Sequence, residues 1–135
     1  MISSRQLKLE DKSLIRQNEL LEDLQALARD IERCEKMISD LKTELEGVNS
    51  TFQGPRDTRK DIDYLSALLG CAKKKLAWEK QMASLQKRTP EILDRMKVVM
   101  NDPKAPPTEQ MRDAMLKSLQ QVQATMERLQ SVKPE

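Results

Sequence analysis

The sequence predicts an all-α fold: two long helices in an antiparallel hairpin, and a shorter third helix that makes the bundle three-stranded at one end only. Three observations carry that prediction. Between Leu20 and Phe52 the apolar residues Leu20, Leu24, Leu27, Ile31, Cys34, Ile38, Leu41, Leu45, Val48 and Phe52 alternate steps of four and three, the spacing of a coiled-coil seam. Charged residues make up 34% of the chain and aromatics 2%, a profile of long solvated helices that is poor in strand formers. Glycine and proline punctuation that ends a helix is concentrated in two stretches, Gln53-Gly54-Pro55 and Asn101 through Pro107. At 135 residues the chain fits a single helical coiled-coil domain, 1–135, whose abrupt start and finish in helical pattern would also suit a fragment of a longer protein.

Helix 1 is expected over about 4–53. Ser3 or Ser4 can cap it, and Leu7, Leu14 and Leu21 keep a separate seven-residue column before the seam begins. Asn18, beside the seam, is either an exposed amide or a buried one that fixes register. Gly47 is tolerated at roughly 1 kcal/mol relative to alanine. Gly54 suits the left-handed position after a helix, and Pro55 cannot continue one. At the helical rise the element is on the order of 75 Å long.

The link to helix 2 is short, which forces an antiparallel hairpin. Helix 2 is expected over about 57–100 with Asp57 or Thr58 as its cap, and Ile62, Leu65, Leu69, Ala72 and Leu76 resume the seam. The stripe then shifts phase and continues through Trp78, Met82, Leu85, Thr89, Ile92, Met96 and Val99. Thr89-Pro90 is a helix-start signal, so a break or kink is expected at Pro90. A turn centred near residue 54 would set Leu45 beside Leu65, Ile31 beside Trp78, Lys80 opposite Asp30 and Lys87 opposite Glu22.

After the loop at 101–107, Thr108 caps helix 3, expected over about 108–132, with the stripe Met111, Met115, Leu119, Val122, Met126, Leu129 and Val132. Half as long as the others, it covers the C-terminal half of helix 2 and the N-terminal half of helix 1, and leaves 33–53 and 56–76 as a two-helix end. Six of the eight methionines fall in the three-helix end, where flexible thioethers fill an irregular core. The pattern is generically similar to coiled-coil adaptor and spectrin-like three-helix modules, a likeness of fold alone.

Functions that need a dedicated chemical site find no support. The chain has no histidine, hence neither the usual general base nor the commonest metal ligand. It has no glycine-rich phosphate loop and no nucleophile elbow, and its carboxylates are spread along helix 1 as a solvated face requires. The expectation is therefore a non-enzyme with no catalytic, cofactor-binding or metal-binding residue and no small-molecule substrate. Cys34 and Cys71 read as small buried apolar side chains of a reducing compartment. Without an apolar run of eighteen residues or a secretory signal pattern, an intracellular, cytoplasmic location is expected.

What remains is association through helices. The expectation is a scaffold or adaptor module that self-associates, or docks a partner helix, at the two-helix end through Ile38, Leu41, Leu45, Leu65, Leu68, Leu69 and Gly70. Gly70 lies in the small-residue cluster Ser66, Ala67, Gly70, Cys71 and Ala72, which suggests that another backbone comes close. A second reading starts from charge: residues 56–104 carry 12 basic and 7 acidic side chains. Lys73, Lys74, Lys80, Lys87, Arg88 and Arg95 form a positive stripe suited to an acidic surface, such as a cytoskeletal filament, an anionic membrane or a nucleic acid. The same cations could instead pair with the acidic flank of helix 1. With almost no aromatics, base stacking is not available.

Overall fold

The computed structural model describes residues 4–55 and 57–132, with side chains from residue 12 onward. It consists of α1 (Ser4–Thr51), α2 (Thr58–Met100) and α3 (Glu109–Val132), with no strand among the described residues. The all-α expectation holds. The proposed caps Ser3 and the side chain of Leu7 lie outside the described residues and side chains.

The seam of α1 is buried as its spacing demands: Leu20, Leu24, Leu27, Ile31, Cys34 and Ile38 form the centre of one core with Trp78, Leu85, Ile92 and Met96 of α2 and Met115, Val122 and Leu129 of α3. Burying each large aliphatic contributes on the order of 1.5–3 kcal/mol. The core is not shared equally, however. Helix α1 packs closely along both α2 and α3, while the backbones of α2 and α3 approach each other closely at few points. All three helices contribute to one core, so the three-helix end expected from the sequence is present, with the side between α2 and α3 the most loosely packed of its three.

Helix α3 runs parallel to α1. Near its start Gln17 Nε2 donates to the Ala105 carbonyl at 3.3 Å. Further along, Arg128 lies 3.2 Å from Glu35 and 3.7 Å from Glu32, and Lys42 Nζ donates to the carbonyl of Val132. Cover by α3 thus extends to about Lys42. Ile38 and Leu41, expected at an uncovered end, are core residues exposed by only 2% and 8%.

The hairpin register also differs from the expectation. Asp23 pairs with Arg95 at 2.7 Å, Asp30 with Arg88 at 2.8 Å, and Glu44 with Lys74. These three contacts share one antiparallel register, displaced by nearly three helical turns (about 15 Å) from that of a tight turn centred on residue 54. In that register Leu45 lies level with about Lys73 rather than Leu65, and Ile31 with about Lys87 rather than Trp78. The cause is the link. Helix α1 ends at Thr51, and the chain climbs alongside α2 through Gly54, at φ 93°, before Asp57 caps α2 by accepting from Lys60 N at 2.9 Å. Phe52 stacks on Tyr64 at 5.4 Å between ring centroids, well inside α2. The first two turns of α2 therefore project past the end of α1.

Helix α2 is continuous through Pro90, so the break does not occur. Thr89 is not a cap: its hydroxyl donates back to the Leu85 carbonyl at 2.6 Å, inside the helix. Thr108 does cap α3, its Oγ1 accepting from Met111 N at 3.2 Å. Asn18 is exposed, and the buried amide beside the seam is its neighbour Gln17.

Candidate protein-association surface

Two apolar stripes run along α2. The buried one follows Tyr64, Cys71, Trp78, Leu85, Ile92 and Val99, a strict seven-residue column flanked by Leu68, Met82 and Met96. It keeps one phase from end to end, so the shift expected near Leu76 is absent. The stripe read from the sequence as the seam, Ile62, Leu65, Leu69, Ala72 and Leu76, lies roughly a third of a turn around the helix and faces outward. Ile62, Leu65, Leu69 and Leu76 are 58%, 62%, 56% and 58% exposed.

Of the residues expected at an interface, Leu45, Leu65 and Leu69 are exposed and Leu68 is half-buried, whereas Ile38 and Leu41 are enclosed. Gly70 is not a point of close approach: a Cβ added there would meet nothing within 4 Å. Its helix-weakening effect, roughly 1 kcal/mol relative to alanine, has no packing counterpart within the chain.

The basic stripe divides in two. Lys74, Arg88 and Arg95 are engaged by Glu44, Asp30 and Asp23 across the hairpin. The Glu44 carboxylate holds the Lys74 ammonium above its ordinary pKa by hydrogen bonding. Lys73, Lys80 and Lys87 are exposed and have no ion-pair partner among the described residues. They repeat every seven residues along one edge of the outward apolar stripe. The two candidate features, apolar and basic, therefore meet on one face of α2.

A further concavity was not foreseen. Between α2 and α3 an open groove of about 800 Å³ is lined by Leu93, Met96 and Met100 on one side and Leu116, Leu119 and Met126 on the other. Three of the methionines expected in the core line this groove; Met96 remains buried, and Met100 and Met126 are half-buried.

Both cysteines are buried and free. Burial, then the Asp30 carboxylate, pushes the Cys34 thiol up, against a smaller opposing effect of Arg33. Among the described residues there is no group of three potential metal ligands, and no helix is long and apolar enough to cross a membrane. No protein-family model matches the chain, and neither curated proteins nor solved structures offer a significant match.

Proposed function

We propose that the chain is a non-enzymatic coiled-coil scaffold module that associates with other proteins through its helices, using the outward face of the first half of α2. The observation that carries this reading is the heptad-spaced row Ile62, Leu65, Leu69 and Leu76, each more than half exposed. A row with steps of three, four and seven is what a second helix packs into. Each of these side chains contributes on the order of 1.5–3 kcal/mol when fully enclosed, and four together outweigh a substantial part of the entropic cost of association. Leu45, exposed beyond the last turn of α3, adds an apolar side chain on α1.

The test is a comparison of the chain with its Leu65→Asp/Leu69→Asp variant, by light scattering across concentration and by capture of bound proteins. The variant should keep its circular dichroism and thermal transition and lose self-association and partners alike. Unchanged mass and an unchanged set of bound proteins would remove the outward stripe from consideration.

A second reading rests on Lys73, Lys80 and Lys87, which are exposed and have no ion-pair partner among the described residues. On that reading α2 adheres to a polyanionic filament, membrane surface or nucleic acid. Such binding weakens steeply with salt and is indifferent to Leu69→Asp. An apolar helix interface behaves in the opposite way.

A further inference from the structure

We infer that the partner on the outward face of α2 is an amphipathic helix whose apolar seam is bordered by acidic residues, and not a second copy of this chain. The inference rests on the association reading above and adds the chemistry of the partner. With Ile62, Leu69 and Leu76 at a and Leu65 and Ala72 at d, the e positions are Arg59, Ser66, Lys73, Lys80 and Lys87. All five are exposed. The g positions beside the row are Asp61, Leu68 and Lys75. In a coiled coil the e and g side chains face those of the partner and select it. One border of this seam is therefore basic over four turns and more, and none of its cations is held by an ion pair among the described residues.

Self-pairing is poorly matched. Antiparallel, e faces e, and Arg59 meets Lys73 or Lys80; only Asp61 near Lys75 offsets this. Parallel, g faces e, and Lys75 meets Lys80. An opposing helix with Glu or Asp at its flanking positions meets Arg59, Lys73 and Lys80 with attraction throughout while filling the same apolar row. The acidic residues of α1 do not serve: Asp23, Asp30 and Glu44 are committed to the other edge of α2.

The test uses three synthetic helices of about three heptads, each with Leu at a and d, and with Glu, Gln or Lys at e and g. Binding to the full chain is read by fluorescence anisotropy, and the solution mass of the chain by light scattering. The Glu helix should bind about tenfold more tightly than the Gln helix at low salt, with the Lys helix weakest. Lys73→Glu/Lys80→Glu should reverse the order, and Leu69→Asp should abolish binding of all three. If the Gln or Lys helix binds as well as the Glu helix, the acidic border is wrong while helix docking stands. A chain that dimerises, and is made monomeric by Leu69→Asp, replaces the acidic helix by a second copy. Binding of the Glu helix that survives Leu69→Asp belongs to the polyanion reading. Failure of all three helices to bind a monomeric chain overturns helix docking itself.

Discussion

Arg88 of α2 reaches Asp30 of α1 with 2.8 Å between Nη2 and Oδ2, and with Asp23–Arg95 on the same register it marks how far the two long helices slide past each other. Both side chains of the first pair are only partly exposed, so it is screened less than a surface pair. Exchanging the charges, Asp30→Arg with Arg88→Asp, should restore most of the stability lost by either change alone, with a coupling of about 1 kcal/mol or less. Cysteines placed at 23 and 95 should cross-link within one chain through a short spacer, and cysteines at 22 and 87 should not. The reverse result would refute the register.

Truncation should separate the two apolar rows. Leu24→Ala or Ile31→Ala empties the enclosed core and should cost about 2–5 kcal/mol, measured by urea unfolding. Leu65→Ala or Leu69→Ala removes an exposed side chain and should change stability by about 0.5 kcal/mol or less. A large loss at Leu69 would mean that the outward row is covered within the chain.

Trp78 is enclosed in the core, yet its indole Nε1 has no hydrogen-bond partner among the described residues. Burying such a donor without a partner costs about 1–3 kcal/mol. Trp78→Phe removes the donor while keeping most of the ring, so it should be nearly neutral, whereas Trp78→Leu should lose substantially more. Equal losses would show that the indole nitrogen is satisfied.

Cys34 holds its proton more firmly folded than unfolded, since burial and Asp30 disfavour the thiolate. The associated stability is fully present below the unfolded thiol value and is lost as pH rises through the higher folded value. Between about pH 8 and pH 10 the thermal midpoint of the chain should therefore fall more than that of Cys34→Ala. Parallel curves would dismiss the effect.

Gln17 ties the second loop to α1 through the Ala105 carbonyl. Gln17→Ala should cost about 0.5–1.5 kcal/mol, and hydrogen exchange should quicken at the start of α3 rather than in the hairpin. Uniform quickening would make Gln17 a general core residue instead.

Much of this architecture was legible in the sequence, for reasons that particular residues make plain. Leu20 to Leu41 alternate fours and threes and are enclosed accordingly; Met115, Val122 and Leu129 repeat every seven residues on α3 and are enclosed as well; Thr108 caps where its hydroxyl and the prolines before it indicate. The choice of stripe on α2 went wrong because two apolar rows compete there, and the larger aliphatics of Ile62, Leu65, Leu69 and Leu76 outweighed the more mixed row. The telling signal was the unbroken seven-residue column from Tyr64 through Trp78 to Val99. The register was not legible, since a six-residue link can be a tight reversal or an extended climb, and only the packing of Phe52 on Tyr64 distinguishes them. Of the candidate surface, the basic residues were found but not their division, because which lysines meet Asp30 or Glu44 depends on that same register.

The scarcity of close backbone approach between α2 and α3 has a mechanical consequence. The two helices are leaves bound to a single spine, and rotation of either about the long axis of α1 alters the angle between them while each keeps its side chains interlocked with the spine. That angle is the one least constrained by close backbone packing. Met100 and Met126, unbranched and adaptable, line the gap and accommodate a range of widths at little rotamer cost. Spacing on that side of the bundle is thus held by adaptable side chains, whereas spacing on the two sides of α1 is held by the interdigitated seams.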